Sequence, residues 1–250
     1  AELAQKMKNA VNTKLWDDEE GLYCDAYTSF DAVAQKMDMI REQLKYGKSQ
    51  HIRTYVERIL SERSGDGSRE RGWLLNRNWV INTPLEIGMA EPDRAERALK
   101  NMHTPEFIGT YGMYLDGLKQ DATMTINTGV MAVAQAQYGY SDRALELLER
   151  IFKSFSMATP GSISEMSPDY GCFAQAWTTY SVMTPIVRHF FGIQPSASAD
   201  MIVLKPCLPE KWTEGAMEHV RVFDGEISVR YSVLNGRLTM EVDNHTGKAV

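Results

Sequence analysis

Cysteine is scarce in this sequence. Cys24, Cys172 and Cys207 stand alone and widely spaced in 250 residues, with no Cys-x-x-Cys pair and no histidine at metal-ligand spacing. A disulfide scaffold and a metal site are therefore not expected, and the thiols read as small buried apolar groups. Long apolar runs are missing as well. No window approaches the roughly 18 uninterrupted apolar residues of a membrane-crossing helix, and the amino terminus lacks the basic and apolar segments of a signal peptide, so a soluble chain is expected. The sequence starts at Ala1 rather than at Met, which fits an upstream piece that was cleaved or left out; the missing signal therefore does not choose between cytoplasm and periplasm. Positive charge is not in excess either: 27 Lys and Arg face 33 Asp and Glu, a net charge of −6. Neither a nucleic acid nor a membrane surface is an expected partner. No Ser-His-Asp constellation and no Gly-rich phosphate loop is evident, and the five histidines are scattered, read as surface or helix-end groups.

What is present is an ordinary globular composition, 43% hydrophobic and 24% charged, long enough for one or two domains. Apolar residues recur at helical spacing from Leu3 to Val11, from Asp31 to about Leu44 and from Gln50 to about Leu60. The charged and Gly-containing run Ser64-Gly65-Asp66-Gly67-Ser68 breaks the pattern and reads as a mobile surface excursion. A helix is predicted over Asn78 to Ala90, then another after Pro92 through Met102, making an antiparallel hairpin. Thr104 to Lys119 reads as a long ordered loop. A second hairpin follows: Asn127 to Tyr138, ended by Gly139, then Ser141 as N-cap of Arg143 to Phe155. Cys172 to Phe191 is apolar nearly all round and is expected to be one buried helix. From Met201 the period changes to two, with strands over Ile202–Leu204, Val220–Phe223, Ile227–Val233 and Leu238–Val242, the last two joined by the hairpin signal Asn235-Gly236.

Functional residues are expected in the long loops, which rigid helices hold in place. The loop from Pro160 to Gly171 carries two carboxylates, Glu165 and Asp169, directly before the most apolar segment. A loop carboxylate is ordinarily a cap or a solvated charge, but the apolar neighbours Ile163 and Met166 predict partial burial of Glu165, the environment that proton transfer requires.

Gly161-Ser162-Ile163-Ser164-Glu165, followed by Gly171-Cys172-Phe173-Ala174-Gln175-Ala176-Trp177, resembles the G-x-I-x-E … G-C-x-x-Q-A-W stretch of glycogen debranching enzymes of the amylo-α-1,6-glucosidase type, six-hairpin glycosidases. Leu15-Trp16 through Gly21-Leu22-Tyr23-Cys24-Asp25 is similar to that family's F-W-x…G-Y-L-x-D segment, and Thr110-Tyr111-Gly112-Met113 to its T-x-Y-G-L. Lys205-Pro206-Cys207-Leu208-Pro209-Glu210-Lys211-Trp212 resembles the β-extension that follows the barrel. Met124-Thr125-Ile126-Asn127-Thr128-Gly129 departs from the family's His-Gln-Gly-Thr-x-Trp, lacking both the His and the Trp. The resemblance implies a mainly α fold: an (α/α)6 toroid, or its carboxy-terminal half, over residues 1–195, with the start of a β-sandwich over 201–250. About seven helices are visible where a closed ring has twelve, so a missing amino-terminal segment or a partner chain is implied.

The implied function is inverting hydrolysis of a glycosidic bond in an oligo- or polysaccharide, an α-glucoside first and a rhamnoside second, with no cofactor. Glu165 is then the base that activates water. The family's acid precedes the F-W-x segment, which places its counterpart upstream of Ala1; Glu86, Asp116 and Asp121 are the alternatives within the chain. Aromatic rings and planar polar groups that suit a sugar are Trp16, Arg77, Asn78, Trp79, Tyr111, Tyr170 and Trp177, with Asp169 and Gln175 beside them. Two rival readings are a sugar epimerase or polysaccharide lyase, which would move protons with His or Tyr, and a non-catalytic glycan-binding or assembly subunit.

Overall fold

The computed structural model describes residues 2–45, 50–61, 67–77, 79–117, 120–167 and 171–250. Among them, eight α-helices and six small antiparallel sheets make up 40% helix and 25% strand. This mixed α/β chain corrects the expectation of a mainly α toroid. The reason is local: most segments that read as loops between helices are clipped together by short antiparallel strand pairs, several only two residues long, too short to display a period of two.

Helix α1 (Glu2–Lys14) leads into a hairpin of β1 (Trp16–Asp17) and β2 (Leu22–Tyr23). Strands β3 (Ala26–Ser29) and β4 (Glu70–Trp73) pair across an excursion that contains α2 (Phe30–Leu44) and α3 (Gln50–Ser61). The Ser29 hydroxyl accepts the Ala32 N–H and caps α2. The charged break at Ser64 lies largely outside the described residues.

The helix expected from Asn78 to Ala90 is shorter and split. A 3₁₀ turn (Trp79–Asn82) runs into the four-residue α4 (Thr83–Glu86), and Gly88 at φ +68° turns the chain away. Helix α5 (Pro92–Met102) starts at Pro92 as expected. The segment read as a loop after it holds the hairpin β5 (Ile108–Gly109) and β6 (Gly112–Met113). Strand β7 (Thr123–Met124), helix α6 (Thr125–Gln137), helix α7 (Ser141–Phe152) and strand β8 (Met166–Ser167) follow, with β7 and β8 paired. Ser141 is the first residue of α7 rather than its cap: the Tyr140 carbonyl already accepts the Ala144 N–H at 3.0 Å, and the Ser141 hydroxyl donates to the Leu208 carbonyl at 3.2 Å. Phe155 lies beyond the helix and is exposed.

The segment Cys172 to Phe191 departs most from its expected form. Residues 172–177 form turns that are largely exposed, α8 spans only Thr178–Thr184, and a π-helical segment covers Pro185–Phe190. Proline has no N–H to donate back into the helix, and the register widens until the Phe191 N–H reaches the Ile186 carbonyl at 2.9 Å. Cys172 is exposed and Cys207 half-buried, so of the three thiols only Cys24 is a buried apolar group.

Strands β9 (Ile193–Ser196) and β10 (Met201–Leu204) form one hairpin, and β11 (Glu214–Val222), β12 (Gly225–Leu234) and β13 (Arg237–Asn244) a three-stranded meander. Asn235 and Gly236 both take positive φ, 51° and 73°, the turn that their sequence announces.

One core joins these parts. Helix α6 is buried almost all round and lies between α7 and α8. Small residues permit this: a Cβ on Gly129 would come within 2.3 Å of the Ser181 backbone. Helix α7 contributes Ala144, Leu145, Leu147, Leu148 and Ile151 from one face. Each large apolar side chain withdrawn from water stabilises the fold by about 1.5–3 kcal/mol. Val222, Ile227, Val229 and Tyr231 of the meander belong to the same cluster, and the Tyr231 ring meets Phe191 at 5.5 Å. Buried polar groups join the elements: Asn12 accepts the Tyr23 hydroxyl at 2.6 Å and donates to the Met89 carbonyl at 3.0 Å, tying α1 to β2 and to the turn before α5.

Candidate functional site

Glu165 sits at the amino end of α6, where the β7–β8 pair brings its loop. Its backbone is held on both sides: the Thr125 N–H donates to the Glu165 carbonyl at 2.9 Å, and the Glu165 N–H donates to the Cys172 carbonyl at 2.9 Å. The Thr125 hydroxyl fixes the preceding residue through the Ser164 carbonyl at 2.6 Å. The side chain is half-buried and turns toward the same neighbour, Oε2 accepting the Cys172 N–H at 3.0 Å. Gly171 makes room for it: at φ +53° a Cβ would stand 2.7 Å from Oε2. Among the described residues Oε1 accepts no hydrogen bond, which leaves one carboxylate oxygen for a water or a ligand.

The segment that follows presents rings. Phe173 and Trp177 are each 56% exposed. Gln175 between them is half-buried; its carbonyl accepts from Thr178, and its Oε1 is buried with no partner among the described residues. Asp169 and Tyr170 lie outside the described residues. Asp116 is half-buried and Asp121 exposed, both in the stretch between β6 and β7. That stretch is fastened beside the Glu165 loop, since Tyr114 bridges to Thr123 and Thr123 pairs with Ser167. Asn127 of α6 holds it from below, donating to the Tyr114 and Leu115 carbonyls.

Other expected site residues are placed elsewhere. Tyr111 occupies the two-residue turn of the β5–β6 hairpin and is half-buried. Trp16 packs edge-on against Tyr23 at 5.0 Å, donates to Asp18 at 2.7 Å and carries the guanidinium groups of Arg94 and Arg97 over its ring. It lines a hollow of about 220 Å³ with acidic Asp17, Asp18 and Glu19 and basic Arg58 and Arg71. Arg77 is 2% exposed and binds the Glu20 carboxylate at 2.7 Å, with its guanidinium 5.0 Å from the centre of the Tyr55 ring. Its positive φ of 51° is imposed by Asp25, whose carboxylate accepts the N–H groups of Leu75, Asn76 and Arg77 in turn. Trp79 opens the 3₁₀ turn; its side chain and all of Asn78 lie outside the described residues.

Glu86 shares no hydrogen bond with Glu165 among the described residues and lines a different hollow. It accepts the hydroxyl of Tyr180, ninety-four positions along the chain, and the pair lines a cleft of about 310 Å³ with Gln137, Thr184, Arg188 and His189. Burial and the carboxylate together hold the Tyr180 hydroxyl well above the usual phenol range, so it stays protonated. Burial, Arg188 and Lys205 push the His189 imidazole down to about 4, so it is neutral at pH 7. Neither this cleft nor the Trp16 hollow is lined by Glu165. Tyr180 and Arg188 fall inside the segment expected to be one buried helix, and His189, expected as a surface or helix-end group, is instead drawn into this cleft. Pro185 in the middle of that run was the available signal.

No protein-family model matches the chain, and no curated protein sequence is similar to it.

Proposed function

We propose that this chain acts on carbohydrate, cleaving a glycosidic bond with Glu165 as the base that activates water. The observation that carries the reading is the setting of Glu165: a half-buried carboxylate, fixed by two backbone hydrogen bonds, with one oxygen tethered to the Cys172 amide and the rings of Phe173 and Trp177 exposed nearby in sequence. A tethered carboxylate presents its other oxygen in one direction, as a general base must, and exposed aromatic faces suit the apolar side of a pyranose. The resemblance of the Gly161–Glu165 and Gly171–Trp177 segments to debranching glucosidases supports the same assignment, with an α-glucoside as first substrate and a rhamnoside as second.

An inverting reaction needs a second carboxyl about 6.5–9.5 Å from the first. Asp116 and Asp121 are the candidates whose stretch is fastened beside the Glu165 loop, and a segment or partner chain beyond these residues is the other source. Release of reducing sugar from malto-oligosaccharides tests the reading. Glu165→Gln is expected to lower turnover by about 10²- to 10⁴-fold with an unchanged circular-dichroism spectrum; turnover equal to the wild type in the folded variant refutes Glu165 as the base.

A further inference from the structure

The cleft between α4, α6 and the π-helical segment takes no part in the chemistry assigned to Glu165. Glu165 meets the first residue of α6, whereas Val133 and Gln137 of that helix line the cleft. At 1.5 Å per residue, Val133 and Gln137 lie about 12 and 18 Å along the helix from Thr125. The volume of about 310 Å³ stands at the lower end of the range that ligand pockets occupy, enough for one small molecule.

The lining decides what kind of molecule. Glu86 and Arg188 contribute one negative and one positive charge, which sum to zero. Gln137, Thr184 and the neutral His189 each offer hydrogen-bonding groups, and Val133 and Ile87 supply an apolar wall. A net anion meets Glu86 and a net cation meets Arg188. A neutral molecule with several hydroxyls can both donate to and accept from these groups without either penalty. The Tyr180 hydroxyl, committed as donor to Glu86, keeps its lone pairs for a ligand hydroxyl and fixes the carboxylate in place.

The backbone here is itself unusual. The π register of Pro185–Phe190 carries Arg188 and His189 at the cleft. Such segments are rare, and they recur at ligand sites because the widened turn re-aims side chains that a regular helix would direct elsewhere.

We propose that this cleft is a second binding site, for a neutral polyhydroxylated molecule of monosaccharide size, with Glu86, Tyr180 and Arg188 as its orienting groups. Saturation-transfer NMR on the full chain tests it, with D-glucose, methyl α-L-rhamnoside and myo-inositol as probes and glycine and succinate as charged controls. At least one of the three polyols is expected to bind. Glu86→Gln and Tyr180→Phe, the second removing only an oxygen, are each expected to raise Kd about tenfold. Glu165→Gln is expected to leave this binding unchanged, so a failure of the hydrolase reading is distinguishable from a failure of this one. Absence of all three polyol signals, binding that ignores both cleft substitutions, or a preference for glycine or succinate overturns the proposal.

Discussion

Glu165 and Cys172 hold one another in both directions: the Glu165 N–H donates to the Cys172 carbonyl at 2.9 Å, and the Cys172 N–H returns a bond to Glu165 Oε2 at 3.0 Å. This exchange closes the loop between them and sets the carboxylate against Gly171. Because the Cys172 thiol is exposed, the backbone that aims the proposed base can be perturbed from solvent.

Alkylation is the first consequence. N-ethylmaleimide is expected to label Cys172 fastest and Cys207 more slowly, and to spare Cys24, whose thiol burial pushes up to about 12. Peptide mass spectrometry gives the order. Labelled protein is expected to lose carbohydrate turnover, and Cys172→Ser to be protected; a labelled wild type with full turnover shows that this loop does not face the substrate.

Arg77 provides a second test, because its setting is that of a fold-holding group. It is buried, paired with Glu20 and stacked near Tyr55, and Glu20 also takes Arg58 at 2.9 Å. Arg77→Leu removes one partner of a buried pair and is expected to cost about 3 kcal/mol of stability in urea denaturation. Unchanged stability together with weakened sugar binding would instead assign Arg77 to the ligand.

The acid limb of stability reports on His189. Its folded-state pKa of about 4 lies below the ordinary 6.5, so between these values the unfolded chain binds the proton that the folded chain refuses. Its contribution is therefore full above pH 6.5 and is lost as pH falls toward 4. Melting temperatures across this window are expected to fall less steeply for His189→Gln than for the wild type. Parallel curves would show that the imidazole titrates normally.

Legibility in the sequence followed the range of the interaction. Helix α2 announces itself through apolar spacing, α5 through Pro92 in its first turn, the end of α6 through Gly139, and the Asn235-Gly236 turn through two residues that tolerate positive φ. The pairs β1–β2, β5–β6 and β7–β8 span two residues a strand and carry no period, so their segments read as loops and the helical content as dominant. The partial burial of Glu165 was readable from Ile163 and Met166; its bond to the Cys172 amide depends on a loop closure that no spacing encodes. The Glu86–Tyr180 pair joins residues ninety-four positions apart, and the π register that completes its cleft arises where Pro185 breaks the expected helix.

The decisive measurement is time-resolved ¹H NMR of the sugar anomer first released from an α-linked oligosaccharide, for the wild type and Glu165→Gln. With Glu165 as the base of an inverting hydrolysis, as proposed, water attacks from the face opposite the leaving group, so the wild type is predicted to release the β-anomer first and the variant to release essentially none. Release of the α-anomer first, or equal release by the folded variant, would contradict the account.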